Sequence, residues 1–314
     1  MTKKCIVIGG AGLIGIYVVN QLIKKKYHVT VYDLAQQINQ NRKFLNKKAI
    51  LIKGSILNKK LLSKAISGNK FVFHLAAMLG VKNTEDNKLD CLEINCVGTK
   101  NVLEQCVRNK VKKVIFASSS EVYGEPDKNP IDEKVTTKGK TIYGITKMVG
   151  EEYCKSFYQK YKLNYTILRY FNTYGIFQKK QFVLSKFVDN AIKNHPLVIN
   201  GNGMQKRSYI YASDTAEATV KACFSAKTNQ KIFNLGNSYE PVNLLDLIKK
   251  ISKILNKKLK IKMNTRFDNK SDRNKEREIF FRFCSSSKLE KTLNWRPKIS
   301  LEKGIRLILS SYKN

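Results

Sequence analysis

Short runs of apolar residues alternate with longer stretches of helical periodicity through the first half of the chain. Strand-sized runs fall at Cys5–Ile8, His28–Tyr32, Ala49–Ile52, Phe71–His74 and Val114–Ala117. Helical patterns fall at Leu13–Lys25, Lys59–Ile66, Leu89–Asn109 and Tyr143–Tyr161, and a further strand at Tyr165–Arg169. Strands separated by helices of this length predict right-handed crossovers and a parallel sheet, whose buried strands are apolar on both faces. The expected architecture is α/β, a doubly wound parallel-sheet domain over 1–171. Beyond Asn172 the pattern loosens. Helices are expected at Phe182–Lys193, from Ser213-Asp214 with an oxygen-bearing cap, at Val242–Ile254 and from Leu301. Short strands are expected near Leu197–Ile199, Ser208–Tyr211, Ile232–Leu235 and Lys258–Ile261, and a charged loop over 264–278. A smaller mixed α/β domain over 172–314 follows, with the chain returning to the first domain around 208–236.

The glycines sharpen this picture. The first strand runs into Gly9-Gly10-Ala11-Gly12-Leu13-Ile14-Gly15 and then a helix. Glycine there lets the backbone turn tightly and approach a pyrophosphate, while the helix N-terminus offers the amides of residues such as Leu13 and Ile14 and a positive dipole. Asp33 ends the second strand, where a carboxylate accepts the adenosine ribose hydroxyls and repels a 2′-phosphate. NAD is favoured over NADP. After the fifth strand comes Ser118-Ser119-Ser120-Glu121-Val122-Tyr123-Gly124, and later Tyr143-Gly144-Ile145-Thr146-Lys147 at the start of a helix. The i, i+4 spacing puts Tyr143 and Lys147 on one face. An ammonium beside a phenol favours phenolate and lowers its pKa toward working pH.

Taken together these segments resemble the extended short-chain dehydrogenase/reductases, the NAD-dependent nucleotide-sugar epimerase/dehydratase family. The resemblance also rests on His74-Leu75-Ala76-Ala77, Asn95-Cys96-Val97-Gly98-Thr99, Arg169-Tyr170-Phe171-Asn172, the run 201–211 and Leu293-Asn294-Trp295-Arg296-Pro297. It implies Ser119, Tyr143 and Lys147 as the catalytic set, with Lys147 also on the nicotinamide ribose. It implies a cofactor site of Gly9, Gly12, Leu13, Ile14, Gly15, Asp33, Ser55, Ile56, Leu75, Ala76, Ala77, Asn95 and Phe171. Ser55 stands where the family often has an acid for the adenine amino group. Asn172 and Arg207 are implied on the sugar diphosphate, joined by a second arginine, Arg273. The family's dimers imply a homodimer through helices near 89–109 and 143–161.

Glu121 has two readings, a carboxylate bonding backbone near the turn or an extra acid–base group. Ser120-Glu121 lacks the Asp-Glu pair of the family's dehydratases, which disfavours 4,6-dehydration. Decarboxylation would require a cationic or polar grip on a C6 carboxylate, which the sequence does not locate. The expected function is therefore a nucleotide-sugar 4-epimerase, UDP-sugars favoured, with decarboxylase or dehydratase as the alternative. A net reductase and a non-catalytic dinucleotide- or RNA-binding protein are the other readings.

Composition adds little to that. The 314 residues carry 59 basic and 24 acidic side chains, net +35, but the lysines are scattered in pairs and triplets without a basic tail, so nucleic acid is not expected as partner. Seven cysteines without a C-x-x-C pair predict reduced, buried thiols and a cytoplasmic protein. Three histidines without zinc spacing predict no metal site. His74 and Trp295 are expected in the core. No apolar run approaches a membrane span.

Overall fold

The computed structural model describes residues 4–264 and 279–312. The chain begins with β1 (Lys4–Ile8), α1 (Leu13–Lys24), β2 (His28–Asp33), α2 (Ala35–Gln40), β3 (Ile50–Lys53), α3 (Lys59–Ile66) and β4 (Phe71–His74). Then come α4 (Val81–Asp86), α5 (Lys88–Leu92), α6 (Gly98–Arg108), β5 (Lys113–Ser119), α7 (Ile142–Tyr161) and β6 (Asn164–Tyr170). The chain continues with β7 (Asn172–Tyr174), α8 (Val183–Ile192), β8 (Leu197–Asn200), β9 (Lys206–Tyr211), α9 (Ala212–Phe224), β10 (Lys231–Leu235), β11 (Pro241–Val242) and α10 (Leu244–Leu255). It closes with β12 (Ile261–Asn264), β13 (Phe281–Arg282), α11 (Ser287–Leu293) and α12 (Leu301–Ser310).

Seven parallel strands form one sheet in the order β10-β6-β5-β4-β1-β2-β3. The central strands are apolar on both faces because helices cover both: one core packs α1 and α9 against Val7, Val31, Ile115 and Phe233, the other packs α3, α6 and α7 against Ile6, Ile8, Val114 and Ile167. The strand order reverses between β1 and β4, which leaves a crevice at their carboxyl ends. A smaller sheet lies beyond that end. In it β9 pairs β11 antiparallel and, along its length, β13 and β7 in parallel.

Three expectations change. The helix expected over Leu89–Asn109 is interrupted by a π turn at Glu93–Val97 between α5 and α6. The helix expected to be capped at Ser213-Asp214 starts at Ala212 without a side-chain cap, because the Asp214 carboxylate instead accepts from the amides of Lys298 and Ile299. The strand placed at Lys258–Ile261 lies at Ile261–Asn264, in parallel with β8. The seven cysteines are free, six of them buried. His74 is 1% exposed, and burial brings its imidazole down to about 3, so the ring is neutral beside Thr99. Trp295 is in the core. Among the described residues no helix is long and apolar enough to cross a membrane, and no cluster of side chains suits a metal.

Candidate active site

The crevice at the β1/β4 switch is shaped by glycines whose absent side chains serve different ends. Gly9 has φ +83°, and a Cβ there would lie 2.5 Å from the Ala76 amide nitrogen. A Cβ on Gly15 would lie 2.3 Å from the Gly9 carbonyl oxygen. Both are demanded by packing: the loops after β1 and β4 touch, with Leu75 and Ala76 donating to the Ile8 carbonyl. Gly12 differs. Its Cβ would meet only the Gly9 carbonyl oxygen, at 3.4 Å, so the bare backbone there leaves space next to the first turn of α1. Gly12 is also the N-cap of α1 and supplies no side-chain cap to the amides of that turn. Open space over uncapped amides and a positive helix end fits a pyrophosphate. Asp33 lies beside it, one oxygen accepting from the Ala11 amide at 2.9 Å and the other from Leu34 at 2.8 Å. Burial raises its carboxyl above the ordinary value, and those two amides work the other way. Each oxygen keeps a lone pair for a ribose hydroxyl. These residues fit a dinucleotide without a 2′-phosphate.

Ser55 and Ile56 follow β3. The Ser55 hydroxyl accepts from Leu57, its carbonyl takes the Tyr32 hydroxyl at 2.8 Å, and Ile56 is buried against Gly98. Asn95 sits in the π turn, a form of helix that recurs at functional sites. Its amide brackets Met78, accepting from that residue's nitrogen at 2.8 Å and donating to its oxygen at 3.1 Å, and also donates to Thr146 Oγ1. Thr146 in turn donates to the Tyr143 carbonyl at 2.8 Å. Asn95 thus ties the Leu75–Ala77 loop to the helix that carries Tyr143 and Lys147.

Ser119 ends β5, and its hydroxyl accepts from the Glu121 amide. The Ser119 side chain acts on the Tyr143 phenol, in the direction that lowers it. Lys147 donates to the Ala117 carbonyl at 2.8 Å, with its nitrogen 5.5 Å from the Tyr143 ring centre. The structure therefore brings the three together at the strand end. Burial lowers the Lys147 ammonium to about 8. The lowering of the Tyr143 phenol expected from the sequence is not what the bare chain has. Burial, then the Glu121 carboxylate, then Cys91 raise it, and only the Ser119 side chain works the other way.

Glu121 turns toward the start of α7. It accepts from Thr141 Oγ1 at 2.8 Å, and Thr141 is the N-cap that receives the Gly144 amide at 3.0 Å. Its other oxygen lies 3.2 Å from Nη1 of Arg282 on β13. The Arg282 side chain is 5% exposed, and its Nε and Nη1 make no hydrogen bond among the described residues. Arg282 and Thr141 escaped the sequence reading; Thr141 carried the ordinary cap signal, whereas Arg282 reaches Glu121 across a long separation with no motif. Glu85, on α4, was missed too: it accepts from the Ile142 amide at 3.1 Å and so braces the same helix start.

Behind Ser119 is a second buried pair. Arg169 grips Glu151 through two bonds, Nε to Oε1 at 2.8 Å and Nη2 to Oε2 at 2.7 Å, and Ser118 donates to Glu151 at 2.6 Å. Arg169 also donates to the Tyr123 hydroxyl, which donates to Asn234 on β10. Phe171 is buried with Val122, Tyr123 and Cys284, and Asn172 opens β7. Arg207 is buried on β9, its guanidinium held by the carbonyls of Ile279 and Phe280. Arg273 lies outside the described residues.

Residues 5–236 match the NAD dependent epimerase/dehydratase family. The chain belongs to that family. It is 34% identical to a putative UDP-glucose 4-epimerase of Methanocaldococcus jannaschii, over 98% of each chain. It is 33% identical to a UDP-N-acetyl-alpha-D-glucosaminuronate decarboxylase of Bacillus cytotoxicus, over 98% of this chain and 96% of that one. The crystal structure of UDP-glucuronic acid 4-epimerase from Bacillus cereus, in complex with UDP-glucuronic acid and NAD, is similar with a TM-score of 0.88, 29% identity and 99% of each chain covered.

Proposed function

We propose that this enzyme inverts C4 of a UDP-linked sugar, with NAD held in the β1/β4 crevice. The observation that carries the reading is the convergence of Ser119, Tyr143 and Lys147 at the end of β5, beside a groove built for a dinucleotide. The chemistry that bound NAD supplies is reversible hydride transfer. Tyr143 removes the proton from the C4 hydroxyl and later returns it. Ser119 hydrogen-bonds the same oxygen and keeps it aligned with the phenol. Lys147, charged below about pH 8, holds the strand end through Ala117 and keeps its ammonium 5.5 Å from the Tyr143 ring centre. A 4-keto sugar that turns over before reduction gives the epimer. Asn172 and Arg207, with Arg273 as the second cation, are the groups for the sugar diphosphate.

A second reading is supported by one observation. Arg282 is a buried cation with unused donors next to Glu121 and the helix of Tyr143, a grip of the cationic or polar kind that would suit the carboxylate of a UDP-linked uronic acid. Incubation with a panel of UDP-sugars, followed by NMR of the products, separates the two. Epimers without loss of mass support the first reading, and CO2 from a uronic acid supports the second.

The assembly we favour is a homodimer. Leu89, Val97, Ile145 and Tyr161 are exposed on the α5–α7 face, Leu89 to 81%, and a second copy would cover them. Light scattering on the purified chain tests this. The free, mostly buried thiols suit the reducing cytoplasm.

A further inference from the structure

Between β7 and α8 the chain makes an irregular excursion, residues 175–182, that makes several contacts with segments far away in sequence. Gly175 rests on the first turns of α1: a Cβ there would lie 3.4 Å from Leu13 Cδ1 and 3.5 Å from the Tyr17 hydroxyl. The Ile176 backbone acts on the Tyr17 hydroxyl, against the burial that raises it. The Phe177 ring lies 5.5 Å from that of Tyr17 and 4.3 Å from that of Phe44, and joins the small apolar cluster of Ala11, Ile16, Ile38 and Leu45. The Lys179 charge reaches Asp33 and works against the burial that raises its carboxyl. Farther on, Gln181 brings its amide against Gly80, where a Cβ would lie 2.9 Å from Gln181 Nε2. Gln178 stiffens the excursion from inside, donating to the Thr173 carbonyl at 2.9 Å and accepting from Ser185 at 2.7 Å.

The anchors lie on segments that border the crevice or pack against its glycine loop. Ala11 belongs to the glycine loop, Leu13 and Tyr17 to the start of α1, Phe44 to the segment after α2, and Gly80 to the loop after β4. We infer that residues 175–182 form a strap that closes over the dinucleotide and retains it, with the Phe177 ring as its clasp. The inference rests on the dinucleotide reading above and goes beyond it. An enzyme whose cofactor ends each cycle in its starting redox state has no need to exchange it, so a strap that slows release costs no turnover. The strap comes from the chain that also carries Asn172, which places cofactor retention under the control of the sugar-binding half.

The test is the rate at which NAD leaves. The wild type, freed of excess NAD by gel filtration, should keep its NAD, counted after denaturation. Phe177→Ala should release it at least about tenfold faster, since changes within one binding site appear mainly in the off-rate, and Phe177→Tyr should restore retention. Release from Phe177→Ala at the wild-type rate would overturn the strap. If that variant does not fold, the wild type still decides. Tryptic cleavage after the exposed Lys179 and Lys180, followed by mass spectrometry, should slow severalfold at saturating NAD, and unchanged cleavage would overturn the strap. A wild type that binds no NAD overturns the dinucleotide reading and the strap with it. Tight NAD with unaltered release overturns the strap alone.

Discussion

Two buried arginine–carboxylate pairs flank the site, and they are built differently. Arg169 and Glu151 are saturated: the guanidinium meets the carboxylate through two bonds, and Ser118 and Tyr123 take up remaining capacity. Arg282 and Glu121 meet through one contact of 3.2 Å, and the arginine has donors without acceptors among the described residues. Burying a charge is costly unless it is paired and hydrogen-bonded, so a closed pair reads as structure and an open one as room left for something else. The first pair joins β5 and β6 of the seven-stranded sheet to α7. The second joins the turn after β5 to β13, from the other side of the crevice. Rigidity lies behind the reacting groups and adaptability in front of them.

The closed pair should show the largest effect when broken. Arg169→Met leaves Glu151 buried with Ser118 as its main partner, and should cost about 3–5 kcal/mol in urea unfolding at pH 7. The loss should shrink as pH falls, because protonation relieves a carboxylate that has lost its partner. An undiminished loss at acid pH would assign the effect to packing instead. Next in size is Tyr143→Phe, which leaves both pairs intact. It should lower kcat by roughly a hundredfold or more while nucleotide-sugar affinity holds, the usual scale for a general base. Near-normal turnover would put the base elsewhere. Asp33→Arg comes third. It replaces the proposed ribose acceptor by a cation and should move the preference between NAD and NADP by about tenfold toward NADP, read from the two dissociation constants. Equal affinity of the wild type for both would remove the role given to Asp33.

The contrast also explains what could be read from the sequence. The glycine loop, Asp33, and the Tyr143–Lys147 spacing are local: residues a few positions apart on one strand end or helix face, fixed as soon as the element forms. The parallel sheet was legible for the same reason, since each βαβ unit carries its own period. The α5–α6 interruption was not, because the π turn exists to aim Asn95 at Met78 and Thr146, partners 17 and 51 residues away. Asp214 looked like a cap and became an acceptor for Lys298 and Ile299, a tertiary contact that overrode a local preference. Arg282 was invisible in the same way. Its meaning comes from Glu121, and the two meet only when β13 pairs with β9.

The open pair gives the smallest and most discriminating effect. Glu121→Gln keeps an oxygen for Thr141, so the cap on α7 and the position of Tyr143 should hold. It removes the ion pair with Arg282, and it removes a negative charge that raises the Tyr143 phenol. Phenolate should then form at lower pH, and the acid limb of the kcat–pH profile should move down with it. For a UDP-sugar without a carboxylate, kcat near neutrality should stay within about fivefold, because the proposed proton transfer does not pass through Glu121. If Glu121 is instead a proton-transfer group, its amide variant should lose roughly a hundredfold at every pH, with no displacement of the limb. A uronic acid substrate sharpens the comparison further. Freed from Glu121, the Arg282 guanidinium has one more direction in which to meet the substrate carboxylate, so KM for the uronic acid should fall in Glu121→Gln while KM for the neutral sugar does not. Equal changes in both constants would mean that the arginine faces Glu121 alone.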